Sequence, residues 1–173
     1  MKTLLLLFFC TLLHFSTFAQ TPSSPVIQDY GIIYDLENVA RPDPTKVYKI
    51  LVDLKTSSLR DPGQLNRGLD NVARMLNLHV TGGVPKENLK VVVAIHGGAA
   101  GIVLDDEGYQ EKFKKDNPNL DLISQLKKAG VQLYVCGQSL QVRGYDRKHV
   151  NNEIEVALSM LTIATEKMMD GYG

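Results

Sequence analysis

Cysteine, net charge and long apolar runs are all scarce in this sequence. Two of the 173 residues are cysteines, Cys10 and Cys136, and 19 basic side chains are matched by 19 acidic ones. A nearly neutral chain without a basic block argues against nucleic acid or an anionic membrane as the partner. The apolar run at residues 4–13 is too short for a membrane-spanning helix, which needs about 20 apolar residues.

The first 19 residues have the pattern of a secretory signal peptide. Lys2 supplies a positive start, the apolar run follows, and small residues lead up to Ala19. We expect cleavage between Ala19 and Gln20, and therefore secretion across the inner membrane with the periplasm as the location. Cys10 leaves with this segment, so Cys136 becomes a single thiol that cannot form an internal disulfide.

The rest of the chain is predicted to be an N-terminal arm, residues 20–45, followed by one domain, residues 46–173. The first ten residues of the arm are polar and proline-bearing, which is typical of a flexible segment. Strands are predicted at residues 47–54, 89–95, 131–135 and 154–157, and helices are predicted to open at Asp61-Pro62 and Asn117-Pro118. This alternation predicts an α/β fold, with a mostly parallel sheet and helices on both faces.

Three predicted turns follow the carboxyl ends of strands. They are residues 55–58, the turn that begins at His96, and the turn that begins at Cys136. In parallel sheets, ligands and catalytic groups collect beyond these strand ends. The order of the strands, which the sequence leaves open, decides whether the turns meet.

Cys136 is the sharpest chemical feature of the sequence. If Gly137, Gln138 and Ser139 begin a helical turn, their backbone N–H groups lie near the thiol and favour a reactive thiolate. Such a thiolate attacks sulfur electrophiles, carries a persulfide or binds a soft metal. The alternative is a small buried side chain that finishes a strand, which is how most free cysteines behave.

His96 lies at the end of the most apolar predicted strand and is a candidate acid or base for thiol chemistry. A histidine that bonds to a loop carbonyl is the competing interpretation. Gly97 and Gly98 allow a close backbone approach, but their spacing is not that of a dinucleotide-binding loop. We therefore predict no cofactor, and the scattered histidines predict no metal site.

Three segments carry a resemblance to the DsrE/DsrF-like family. They are residues 91–98 (VVVAIHGG), 117–130 (NPNLDLISQLKKAG) and 131–140 (VQLYVCGQSL). The resemblance extends from about Lys46 to Gly173, and the phrase YVCGQSL around Cys136 is its most specific part.

That resemblance implies a three-layer α/β/α sandwich with a mostly parallel sheet of about four to five strands. It also implies a homo-oligomer and, for some members, sulfur relay through a cysteine persulfide to a partner protein. Cys136 would then be the carrier, with His96 and the backbone of Gly97 and Gly98 lining its pocket. Gly137, Gln138 and Ser139 complete the predicted pocket.

Three functions remain open from the sequence. The leading hypothesis is a secreted sulfur carrier or sulfurtransferase-like protein that holds a persulfide on Cys136 and exchanges sulfur with a donor or acceptor protein. The second is a non-enzymatic, oligomeric module that binds a small ligand and whose thiol is inert. The third is a redox sensor that forms an intermolecular disulfide through the same cysteine.

Overall fold

The protein was analysed as a computed structural model, which describes residues 21–56 and 61–173. The predicted signal peptide, residues 1–19, lies outside the described residues. So do Ser57 and Ser58 of the first predicted turn.

Strands and helices alternate along the domain, as the apolar runs predicted. The four strands are β1 (Tyr48–Leu54), β2 (Leu89–Ile95), β3 (Gln132–Cys136) and β4 (Glu155–Ala157). The five α-helices are α1 (Arg67–Thr81), α2 (Asp106–Phe113), α3 (Leu120–Lys128), α4 (Gly137–Arg143) and α5 (Met160–Met169). Short 3-10 helices cover Lys86–Asn88, Gly97–Val103 and Arg147–His149.

The four strands form one parallel sheet in the order β1-β2-β3-β4. Leu54 pairs with Ile95, and Ile95 pairs with Val135 on its other side. Cys136 pairs with Ala157 of β4. The predicted α/β fold with a parallel sheet is therefore confirmed, and the ends of all four strands lie at one edge.

One face of the sheet holds the main hydrophobic core. Alternate side chains of the strands, such as Val93 and Leu133, pack there against α1, α3 and α4. Leu69 of α1 and Leu126 of α3 are fully buried in this cluster. Because consecutive parallel strands joined by right-handed crossovers place their helices on the same side, this face receives most of the helices.

Helix α5 contacts all four strands. The chain end that follows α5 also pairs with β1. The Leu51 N–H donates to the Gly173 carbonyl, and the Gly173 N–H donates to the Lys49 carbonyl. None of its residues is fully buried. Within the described ranges, no helix is long and apolar enough to cross a membrane.

Both predicted helix starts were placed too early in the chain. Asp61 accepts from the Gly63 N–H and pairs with Lys115, so it closes a turn and does not cap a helix. Helix α1 is capped instead by Asn66, whose side chain accepts from the Leu69 N–H at 3.0 Å. The true caps are set by contacts from elsewhere in the fold, and these override the local cap-then-proline pattern.

Helix α3 is preceded by a chain of buried asparagines. Asn119 accepts a hydrogen bond from the backbone N–H of Asn66 at 2.8 Å and donates to Asn117 at 2.8 Å. Asn117 in turn donates to the carbonyls of Ile102 and Leu104. Asn117 therefore belongs to a hydrogen-bond network that links three loops. Helix α3 begins later than predicted, at Leu120.

The N-terminal arm is docked on α1, in contrast to the prediction of a flexible segment. Ile27 is fully buried in the core cluster. Asn77, which is 0% exposed, accepts from the N–H groups of Val26 and Ile27 and donates to the carbonyls of Tyr30 and Gly31. An antiparallel bridge joins Ser23 to Ile33 within the arm, separate from the main sheet.

We expect Asn77→Ala to lower the free energy of unfolding by roughly 2–3 kcal/mol, because it leaves buried backbone groups of the arm without partners. Chemical denaturation measures this change. Asn71→Ala, at an exposed position of the same helix, is the matched control. Equal stability of the two variants would contradict the proposed anchoring of the arm.

Candidate functional site

The candidate site lies at the edge where the carboxyl ends of the strands meet. Lys55 follows β1, His96 follows β2, and Cys136 is the last residue of β3. The strand order makes these three positions neighbours, because β2 lies between β1 and β3. Two of the predicted turns, those of His96 and Cys136, are thus brought together.

Cys136 combines burial with a polar environment. It is 6% exposed and stands at the junction between β3 and the first turn of α4. Burial on its own would raise the pKa of the thiol, but hydrogen bonds from Ser139, the Met160 N–H and Ser159 lower that pKa below its ordinary value. The net effect favours the thiolate, which is the nucleophilic form.

Ser139 connects the two central turns. Its hydroxyl oxygen accepts the Gly97 N–H at 3.0 Å, and its hydroxyl and its own backbone N–H both lower the pKa of Cys136. Gly97 has φ of +54°, a conformation that a residue with a Cβ adopts rarely. Since the Lys55 stem would lie 3.2 Å from a Cβ at this position, Gly97 is suited both to the turn and to the close contact.

Gly98, Gly137 and Gln138, the remaining predicted pocket residues, belong to the turns that follow His96 and Cys136. A Cβ on Gly137 would lie 2.9 Å from the Ala157 carbonyl and 3.0 Å from Nη2 of Arg147, so the first turn of α4 is closely enclosed. Gln138 is exposed and donates to the Leu158 carbonyl at 3.4 Å. Gly98 is half-buried within the 3-10 turn that follows His96.

His96 is paired with a carboxylate that sequence reasoning missed. Its Nε2 bonds to Oδ1 of Asp53, near the end of β1. The His96 side chain is 14% exposed and that of Asp53 is 62% exposed. The sequence signal for this partner is the acidic residue in the mostly apolar strand YKILVDL, two residues before Lys55, where the turn after β1 begins.

His96 and Cys136 share a face of the sheet. Side chains alternate along a strand, so His96 lies on the face of Ala94, and Cys136 lies on the face of Tyr134. Ala94 and Tyr134 are register partners. The two candidate catalytic side chains therefore start from adjacent strands on one face, although within the described residues no hydrogen bond joins them.

Ser159 and Met160 were also missed as parts of the site. They are the cap and first residue of α5, more than twenty positions after Cys136, and only the return of that helix across the sheet brings them to the thiol. The helix of ten residues presents its N-terminal N–H groups there, where backbone partial charge favours an anion.

The remaining polar candidates have structural roles. Asp105 caps α2 by accepting from the Gly108 N–H at 2.7 Å, and its carboxylate pairs with buried His149 at 3.2 Å. In the part of the chain that the structure describes, no group of three or more His, Cys, Asp or Glu side chains is placed to hold a metal ion.

Comparisons with known proteins agree on the family and the fold. The model of the DsrE/DsrF-like family matches residues 49–173. A structurally similar protein of unknown function from Methanobacterium thermoautotrophicum has 14% sequence identity and a TM-score of 0.54. That match covers 73% of this chain and 96% of the other. At this identity the likeness concerns the fold alone. No curated protein sequence matches the chain.

We expect Ser139→Ala to raise the pKa of Cys136, because the hydroxyl that lowers it is removed. The thiolate then forms only at higher pH. The pH dependence of the alkylation rate should therefore have its midpoint shifted upward relative to the unmodified protein. Ser124→Ala, which removes a hydroxyl bonded to Glu153, is the control. An unchanged midpoint in Ser139→Ala would refute the hydroxyl's role.

Proposed function

The chain belongs to the DsrE/DsrF-like family, as the sequence resemblance predicted, and we propose that it is a sulfur carrier or sulfurtransferase-like protein. In this proposal Cys136 holds one sulfur atom as a persulfide. The observation that carries the proposal is the convergence of hydrogen-bond donors from α4 and α5 on a thiol at the end of a parallel strand.

The proposed loading step uses the lowered pKa of Cys136 directly. The thiolate attacks a sulfur atom of a polysulfide or a persulfide donor, and a new S–S bond forms at Cys136. The S–S bond of the donor breaks, and the shortened donor leaves with the electron pair. Donors at Ser139 and Met160 stabilise the negative charge both before loading and after sulfur is passed on.

Secretion is part of the proposal and rests on the signal-peptide pattern of residues 1–19. A periplasmic carrier would exchange sulfur with protein donors or acceptors in that compartment. Cytoplasmic donors that load relay proteins would not reach it.

A homo-oligomer is also proposed. Helix α5 leaves Leu161 69% exposed and Met169 84% exposed, and Met168 beside them is also exposed. Large apolar side chains grouped on one surface helix are typical of contacts between proteins. A second copy of the chain covering α5 would remove this apolar area from water.

The sulfur-carrier proposal predicts that the purified protein without residues 1–19 gains the mass of one sulfur atom after polysulfide treatment. Reduction should reverse the gain, because a persulfide is a reducible S–S bond. Intact-protein mass spectrometry measures both steps. Cys136→Ser is expected to gain nothing, and equal sulfur uptake by this variant and the unmodified protein would rule out Cys136 as the carrier.

The second candidate function is a ligand-binding module with an inert thiol, and the 6% exposure of Cys136 is the observation that favours it. It predicts slow labelling of the native protein by iodoacetamide and fast labelling after unfolding. The carrier proposal predicts fast labelling of the native protein, since its thiolate is the reactive form. The ratio of the two labelling rates distinguishes the functions.

A further inference from the structure

Asp53 is the acidic residue of the mostly apolar strand β1, and its side chain has one clear interaction. Within the described part of the chain, its carboxylate bonds only to Nε2 of His96. The carboxylate is mostly exposed, whereas the imidazole is mostly enclosed. The pair thus adds little to the hydrophobic core, and a hydrogen bond to so exposed a carboxylate contributes little to stability.

The sheet register places Asp53, His96 and Cys136 on one face of the sheet. Asp53 pairs with Ala94, so its side chain lies on the face that also carries His96 two residues later. Ala94 pairs with Tyr134, which places Cys136 on this face as well. On this face the carboxylate belongs to β1, the imidazole to the residue that follows β2, and the thiol to the last residue of β3.

The hydrogen bond to Asp53 decides which nitrogen of His96 carries the proton. A carboxylate accepts from Nε2–H and therefore favours that tautomer of the neutral imidazole. Nδ1 then has the lone pair that takes up and returns a proton. A histidine held in one tautomer by a carboxylate is a common arrangement beside a reactive nucleophile.

We propose that Asp53 is a positioning residue that holds His96 in the tautomer needed to move a proton during sulfur transfer from Cys136 to a thiol acceptor. This inference rests on the proposed sulfur-carrier function. Asp53 touches neither the sulfur nor the acceptor and acts through His96.

The proton and electron balance of this step is simple. Nδ1 of His96 takes the proton of the acceptor thiol and passes it to the outer sulfur of the Cys136 persulfide, and the acceptor thiolate attacks this neutral, electrophilic sulfur. The S–S bond breaks, and its electron pair stays on Cys136, whose thiolate is stabilised by Ser139 and Met160. The transferred sulfur keeps the proton that His96 delivered. The acceptor gains one sulfur atom as a persulfide, with no net oxidation or reduction.

A second Asp–His pair in the chain provides the contrast. Asp105 also caps α2, and its own backbone N–H donates to the carbonyl of His149, so this pair is tied into the fold at several points. His149 is buried, and Gly108 packs against its Cβ. These contacts explain the Asp105 pair as structural, whereas among residues 21–56 and 61–173 no comparable set accounts for Asp53.

The test compares the unmodified protein with Asp53→Asn, Asp53→Glu, His96→Gln and the control Asp105→Asn, all without residues 1–19. Each protein is loaded with polysulfide, and sulfur loading is measured by mass. Single-turnover transfer to a small thiol such as cysteine is then followed. Nitrogen NMR of the imidazole rings, assigned with His96→Gln, reports the tautomer of His96.

We expect full sulfur loading in every variant, because loading needs only the Cys136 thiolate. Transfer should slow by about 100-fold in His96→Gln and by at least about tenfold in Asp53→Asn, since acid–base groups contribute factors of this order. Asp53→Glu should recover part of the rate, and Asp105→Asn should match the unmodified protein. In Asp53→Asn the His96 ring should lose its preference for the Nε2–H tautomer.

The possible failures are distinguishable. If the unmodified protein takes up no sulfur, the carrier function itself is refuted. If loading is normal but Asp53→Asn transfers sulfur at the unmodified rate, only the positioning role of Asp53 is refuted. A slowed Asp53→Asn whose His96 tautomer is unchanged, or an equally slowed Asp105→Asn, would also overturn that role, because the effect would then be structural.

Discussion

The parallel register between β2 and β3 is the constraint on which the site depends. Pairing of Ile95 with Val135 brings His96 beside Cys136 and fixes which face each side chain occupies. A slip of one residue would turn the thiol to the opposite face, into the apolar core. The buried side chains of Val93 and Leu133 prevent such a slip, since it would expose their side chains or bury polar ones. Core packing thus holds the candidate chemistry in place.

The strands could be predicted from the sequence because each is a short apolar run between turn residues. The predicted and observed limits of each of these strands differ by no more than one residue, and both limits of the strand that ends at Ile95 agree. The helix starts could not be predicted in the same way. The cap of α1 depends on a bond between Asn66 and Asn119, fifty-three positions apart, and no local pattern contains that contact. Strand order was unpredictable for the same reason.

The residues of the candidate site also separate into those that the local sequence predicts and those that only the tertiary fold brings together. Cys136 and Ser139 are neighbours on one helical turn, so the sequence could place them together. Ser159 and Met160 reach the thiol only because α5 returns over the sheet, and Asp53 reaches His96 only because β1 lies beside β2. Local sequence therefore predicted the candidate nucleophile, while the groups that lower its pKa and the carboxylate proposed to orient His96 depend on the tertiary fold.

Burial and hydrogen bonding act on Cys136 in opposite directions, and their balance suits a carrier of reactive sulfur. Burial limits access to a persulfide on Cys136, but burial alone disfavours the anion that must form when sulfur leaves. Donors from Ser139 and the start of α5 offset that cost without opening the pocket. A more exposed thiolate would need fewer donors, but a persulfide formed on it would be open to more acceptors. The low exposure of Cys136 and its polar surroundings are therefore two parts of one requirement, and an inert core cysteine would need only the first.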